Sequence, residues 1–163
     1  MVTSVQRNGF DIITVVLGAD TKKIRTIDSI ELIEYIYSNY EMINLENLVE
    51  KEFDNWSKIN EKRIVIYKGK KESANIKLED YRYKLYPVKK DYIKDIKIII
   101  ENVKTYFEAP VYKQTQIANV RVKIGDIEIM NIPIIINESI ERKEIKDYIL
   151  ECLKGFRSIN YLG

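Results

Sequence analysis

Residues 7–40, RNGFDIITVVLGADTKKIRTIDSIELIEYIYSNY, read as one structural unit: turn, apolar strand, loop, amphipathic helix. Before them Val2, Ser4 and Gln6 alternate with Thr3, Val5 and Arg7. Asn8-Gly9 then separates two β-prone runs, the strongest local signal for a hairpin, because both central positions of a type I′ turn need positive φ. The second run is apolar on both faces at Ile12, Ile13, Val15, Val16 and Leu17, which predicts a strand between two layers. Gly18 to Arg25 reads as a loop, and Thr26 or Asp28 as the N-cap of a helix. Ile30, Ile33, Ile36, Tyr37 and Tyr40 recur at spacings of three and four, the stripe of a helix that packs on something flat. Tyr35, Tyr37 and Tyr40 read as core and rim packing rather than as ligand-stacking residues. The polar stretch from Glu41 to Asn47 is the candidate domain boundary.

Nothing in that unit carries chemistry, and composition narrows the field further. The chain has 163 residues, 45% hydrophobic and 32% charged, which suits one ordinary globular domain or two small ones. With 27 basic against 25 acidic residues the net charge is +2, too small for the global field that draws a protein to nucleic acid. The single Cys152 cannot form an internal disulfide. The lack of histidine excludes classical triads and histidine metal sites. No catalytic residue, cofactor or metal is therefore expected. There is no apolar run of about 18 residues and no signal peptide in MVTSVQRNG, so these residues by themselves predict a cytoplasmic protein.

From Leu48 the predicted texture is short strands: Arg63 to Tyr67, Ser73 to Leu78, Tyr83 to Tyr86, Ile96 to Ile100, Gln116 to Ile124 and Ile127 to Ile136. Turn signals at Lys68-Gly69 and Gly125-Asp126 fall between them, and this spacing predicts a small antiparallel sandwich or barrel. Ala118, Val120, Val122 and Ile124 alternate with Asn119, Arg121 and Lys123, which fixes the buried face. Lys68, Lys70 and Lys71 form a basic turn, as do Lys89 and Lys90, and both read as solvated loops rather than as a nucleic-acid surface. Ser139 to Tyr161 is helical by period. Ile145, Tyr148, Ile149, Cys152, Phe156 and Ile159 share one side, with Leu153 at its margin. Between Arg142 and Arg157 five basic residues stand against three acidic ones, a local net of +2. Such a helix docks on its own domain or a partner, or lies in a membrane interface.

The order of parts resembles a family, the C-terminal portion of the bacterial serine-type D-alanyl-D-alanine carboxypeptidases, or low-molecular-mass penicillin-binding proteins. The residues that carry the resemblance are Arg7-Asn8-Gly9, the run from Ile12 to Ala19, Arg25, Asp28 and the helix through Asn39-Tyr40. Further on they are Leu85-Tyr86-Pro87, Ala109-Pro110-Val111-Tyr112-Lys113, Val120-Arg121-Val122 and Ile132-Pro133. Lys113-Gln114-Thr115-Gln116-Ile117-Ala118 departs from the family's Lys-Gly-Asp-like turn followed by glycine. The resemblance implies an enzyme whose serine, in a Ser-x-x-Lys motif helped by Ser-x-Asn and Lys-Thr-Gly, forms an acyl-enzyme with a cell-wall stem peptide. No serine in this chain has lysine three positions on, and Lys104-Thr105 is followed by Tyr106. Ser73-Ala74-Asn75 and Ser158-Ile159-Asn160 match Ser-x-Asn by spacing alone. Without nucleophile and lysine the chain is expected neither to hydrolyse peptide nor to bind penicillin covalently.

The expected fold class is mainly β with α. By resemblance, residues 1–42 are the terminal hairpin and helix of an incomplete α/β transpeptidase-type domain, 48–137 a β-sandwich stalk, and 139–163 an amphipathic C-terminal helix. The family places the hairpin inside a five-stranded sheet, so its expected partners are the missing catalytic portion or another copy of itself, while the last helix meets a membrane surface. If the chain is part of a longer secreted protein, its place is the outer face of the cytoplasmic membrane. The alternative function is a free-standing β-rich envelope module that binds a protein or polymer. An upstream reading frame encoding Ser-x-x-Lys, Ser-x-Asn and Lys-Thr-Gly in that order would separate the two.

Overall fold

Asn8 and Gly9 adopt φ of 51° and 77°, the left-handed pair that the sequence demands of a two-residue hairpin turn. The computed structural model describes the backbone of residues 1–159 and the side chains of residues 1–60 and 62–153. In chain order the elements are β1 (Val2–Arg7), β2 (Phe10–Val15), α1 (Lys22–Asn39), β3 (Tyr40–Asn44), α2 (Leu45–Asn60), β4 (Val65–Tyr67), β5 (Ile76–Leu78), β6 (Leu85–Lys89), β7 (Ile96–Glu101), β8 (Tyr106–Glu108), β9 (Gln116–Ile124), β10 (Ile127–Ile136) and α3 (Ile145–Ile159). Short 3-10 turns lie at Glu61–Arg63 and Lys90–Asp95. The chain is 34% helix and 39% strand, mainly β with α.

The first compact unit comprises Met1–Glu46 and Tyr83–Ile96. Strands β1 and β2 pair antiparallel from Val2↔Val15 to Arg7↔Phe10. The terminal amine of Met1 extends the ladder by donating to the Val16 carbonyl at 2.6 Å. Ile12, Thr14 and Val16 point to one face and are buried, and α1 covers that face with Ser29 and Ile33. Because Thr14 and Ser29 bring hydroxyls into this contact, they satisfy each other at 2.8 Å, and Ser29 also donates to Thr3 at 3.0 Å. The opposite face of β2 is open to solvent, with Ile13 70% and Leu17 84% exposed. The two-layer burial predicted for this strand is thus met on one side only, since α1 is the single layer laid on the hairpin within this unit.

Helix α1 starts earlier than Thr26 or Asp28. Thr21 sits in extended backbone and its Oγ1 accepts from the Ile24 N–H at 3.2 Å, while the Thr26 hydroxyl turns back to the Lys22 carbonyl at 3.0 Å. The stretch read as a polar boundary, Glu41 to Asn47, is instead half strand. The chain leaves α1 directly into β3, which pairs antiparallel with β6 from Tyr40↔Lys89 to Asn44↔Leu85. That pairing draws Tyr83–Ile96 into the first unit.

Helix α2 occupies the start of the stretch read from Leu48 as β-rich, ahead of the first strand expected at Arg63 to Tyr67. Leu45, Val49, Phe53 and Trp56 recur every three or four positions, a helical period. Leu45 and Val49 are fully buried, and the Phe53 and Trp56 rings stack with centroids 6.4 Å apart.

The second unit comprises Asn47–Arg82 and the chain from Lys97 onward. Its centre is a four-stranded sheet in the order β5-β10-β9-β7. Strands β9 and β10 form the long hairpin predicted from the Gly125-Asp126 turn, with Gly125 at φ 59°. Ala118, Val120 and Val122 face the core as their alternation predicts, opposite Met130, Ile132 and Ile134 on β10. Arg121, on the polar face, pairs with Glu101 at 2.6 Å and Glu128 at 2.5 Å. A separate two-stranded ribbon joins β4 and β8 in parallel, Val65↔Tyr106 to Tyr67↔Glu108.

The helix predicted from Ser139 begins only at Ile145. The residues before it are held extended: Ile140 exchanges backbone hydrogen bonds with Val111 at 2.8 and 2.9 Å, and Arg142 bridges to Gly69. A Cβ on Gly69 would lie 2.7 Å from the Lys71 carbonyl and 2.8 Å from the Ile66 side chain within the turn, and 3.0 Å from the Ile140 side chain of the facing segment, so the close fit at this position requires glycine. Replacing Gly69→Ala is expected to cost about 1–3 kcal/mol through this overlap. Thermal melting monitored by circular dichroism reads it, and an unchanged midpoint would refute the steric argument.

Candidate interaction surfaces

The residues expected to meet a partner are exposed wherever the structure describes their side chains. Ile145 is 79% exposed and Ile149 56%; Tyr148, Leu153 and the thiol of Cys152 are exposed as well. Phe156 and Ile159 carry side chains outside the described residues. Glu144 lies just before the helix, and its N–H donates to Asp147 Oδ2 at 2.8 Å, a carboxylate placed in the first turn where the helix dipole favours it. Lys143 reaches Glu151 at 2.6 Å and lies 5.8 Å from the Tyr148 ring centroid.

The root of α3 is fixed to the turn after β4. The Lys143 N–H donates to the Lys68 carbonyl and the Lys70 N–H to the Glu141 carbonyl, at 2.8 and 2.9 Å. A groove of about 410 Å³ runs here, lined by Val65, Tyr67, Lys68, Glu72, Lys143 and Tyr148 among others. Tyr67 stacks beside Tyr106, centroids 6.1 Å apart, and the Lys68 ammonium sits 4.8 Å from the Tyr67 centroid. Sequence reasoning missed Tyr67 and Tyr106 as a pair, because only the long-range pairing of β4 with β8 brings them together.

The second surface is the outer face of the first hairpin, where Val2, Ile13, Val15 and Leu17 are exposed. Among the described residues neither outer edge of this hairpin pairs with another strand. A groove of about 640 Å³ flanks it, lined by Val15, Val16, Leu17, Asp28, Glu31, Leu32 and Tyr35. Helix α1 adds exposed Ile24, Ile27 and Ile30. Arg7 forks onto Glu34 of α1 and lies 4.6 Å from the centroid of Tyr37, whose hydroxyl donates to the Phe10 carbonyl at 2.9 Å.

The basic turn at 68–71 is neutralised rather than free. Lys68 pairs with Glu108 at 2.9 Å, Lys70 with Glu141 at 2.5 Å, and Lys71 with Glu138. Ser73-Ala74-Asn75 lies in the loop before β5, where the Asn75 N–H donates to Glu138 Oε1 at 3.1 Å. Among the described residues no group of His, Cys, Asp or Glu side chains could hold a metal ion. No helix among them is long and apolar enough to cross a membrane.

The backbone has known counterparts. The fold matches part of a D-alanyl-D-alanine carboxypeptidase. The enzyme of that name, DacD from Francisella tularensis, aligns with a TM-score of 0.51 and 21% identity, over 88% of this chain and 33% of its own. Penicillin binding protein 5 from Haemophilus influenzae aligns with a TM-score of 0.54 and 20% identity, over 87% of this chain and 38% of its own. The chain thus spans only 33% and 38% of the length of the two structures. No protein-family model matches the sequence, and no curated protein matches it.

Ion pairing contributes to the response to acid, modestly because the pairs are solvent-exposed. The Lys71 ammonium first, then the Asn75 N–H, hold the Glu138 carboxyl below its ordinary value of 4.5. Arg7 does the same for Glu34, Lys68 for Glu108 and Lys70 for Glu141. A carboxylate whose folded pKa is depressed contributes stability above its unfolded pKa and loses it as pH falls through the folded value. Stability to urea is therefore expected to decline once pH drops below about 4.5. Glu138→Gln is expected to lower stability at neutral pH and flatten that decline; an acid limb identical to that of the unaltered chain would contradict the assignment.

Proposed function

We propose that this chain is the noncatalytic C-terminal part of a D-alanyl-D-alanine carboxypeptidase acting in peptidoglycan maturation. Residues 1–42 are the last slice of its catalytic domain, 48–137 its stalk apart from Tyr83–Ile96, which belong to the first unit, and 139–163 its contact with the outer face of the cytoplasmic membrane. The observation that carries this reading is the likeness of nearly the whole chain to a minor part of two longer structures, one of that enzyme and one of a penicillin-binding protein. The uncovered faces support it. A hairpin with open edges and apolar residues on its outer side is built for neighbouring strands, and a helix that turns Ile145, Ile149 and Leu153 to solvent is built for an apolar surface.

Two measurements test the reading separately. Co-sedimentation of the full chain with phosphatidylcholine/phosphatidylglycerol vesicles is expected to fall roughly tenfold or more in the Ile149→Glu, Leu153→Glu variant, since each side chain buries about 1.5–3 kcal/mol of apolar transfer energy in lipid. Equal recovery in the pellet would remove the membrane role. The hairpin is expected to find the absent catalytic portion or, in its absence, a second copy. Light scattering is expected to show concentration-dependent association that Ile13→Lys and Val15→Lys abolish. A monomer at all concentrations would count against the hairpin as an interface.

A further inference from the structure

We propose that the lipid-facing surface does not end with α3 but continues onto the β4–β8 ribbon, where Tyr67 and Tyr106 are its interfacial residues. This rests on the reading of α3 as the membrane contact. The ribbon turns Val65, Tyr67 and Tyr106 outward, with Tyr67 49% and Tyr106 61% exposed, while Ile66 on the opposite face is buried. Tyr148 of α3 and Tyr67 of β4 line the same groove, so the helix and the ribbon share a surface. Their relation is fixed by the backbone bonds between Lys143 and Lys68 and between Lys70 and Glu141.

The chemistry of this surface selects its occupant. Aliphatic side chains along a helix, with tyrosines and lysines at its root, match the boundary between acyl chains and headgroups. There an aromatic ring buries its body and keeps its hydroxyl wet, and a lysine stem lies along apolar surface with its ammonium in water. A polyanion is disfavoured because Lys68 and Lys143 are already paired with Glu108 and Glu151. A sugar stacked on the rings is disfavoured because Tyr67 is engaged by Tyr106 and by the Lys68 ammonium, and Tyr148 by Lys143.

The test places a reporter on the ribbon of the full chain. In a Trp56→Phe background, Tyr67→Trp gives a single tryptophan; on vesicles of phosphatidylcholine and phosphatidylglycerol its emission is expected to shift to the blue and to be quenched by brominated lipid. The Tyr67→Ser, Tyr106→Ser variant, its fold checked by circular dichroism, is expected to lose about threefold to tenfold in partitioning while keeping α3 intact. A Tyr67→Trp chain that pellets through α3 with its indole emission unquenched overturns the inference and leaves the helix contact standing. A chain that does not pellet at all overturns both. Emission that shifts with protein concentration rather than with lipid would assign the face to a second copy, and also overturns it.

Discussion

Strand β10 is the constraint on which the second unit depends. It is hydrogen-bonded along both edges, to β9 and to β5, and five of its ten residues are buried. A strand in that position tolerates no register slip, because one step would exchange Ile132 and Ile134 for Asn131 and Pro133 on the core side. Its end also organises the loops around it. The Gln114 N–H donates to the Ile136 carbonyl, Ile136 donates to Thr115, and Asn137 donates to Asn75. The extended segment from Ser139 to Lys143 leaves from this fixed point, so α3 begins at a place set by the sheet.

The two units differ in how completely they bury what their sequences offer. In the second, the apolar residues of β9 and β10 are enclosed on the core side and a few polar pairs, such as Arg121 with Glu101 and Glu128, close the outside. In the first, β2 and α1 each carry more apolar surface than they can bury against each other. The contact between them is small and partly polar, through Thr3, Thr14 and Ser29, and it leaves Ile13, Leu17 and Ile30 in water. Both sides of this one contact therefore keep apolar surface exposed.

Local chemistry was legible wherever a short stretch decides the outcome. Asn8-Gly9 and Gly125-Asp126 specified their turns, and the bounds of β9 and β10 are those the sequence predicts. Helix α2 was readable too, from Leu45, Val49, Phe53 and Trp56, but the polar residues around it resemble a boundary when the period is not counted. What no local pattern could supply is pairing across distance. β3 chooses β6, and β4 chooses β8 in parallel, because of where the intervening chain can run. For that reason the stripe on α3 was visible in the sequence and the Tyr67–Tyr106 pair beside it was not.

The rigidity of the junction decides what α3 can do. An amphipathic helix on a flexible tether binds a surface and leaves the attached domain free to tumble. Here the two backbone hydrogen bonds of the Gly69–Arg142 bridge, with the Lys70–Glu141 ion pair beside them, fix the start of the helix to the turn after β4. Gly69 permits that approach because a Cβ there would lie 3.0 Å from the Ile140 side chain. On the proposed reading, a membrane contact made by Ile145 and Ile149 would be transmitted to the sheet as an orientation, and the ribbon next to the groove would be carried toward the same plane. Membrane contact by a single short element is weak and reversible, and a second element held in register strengthens it without further ordering cost.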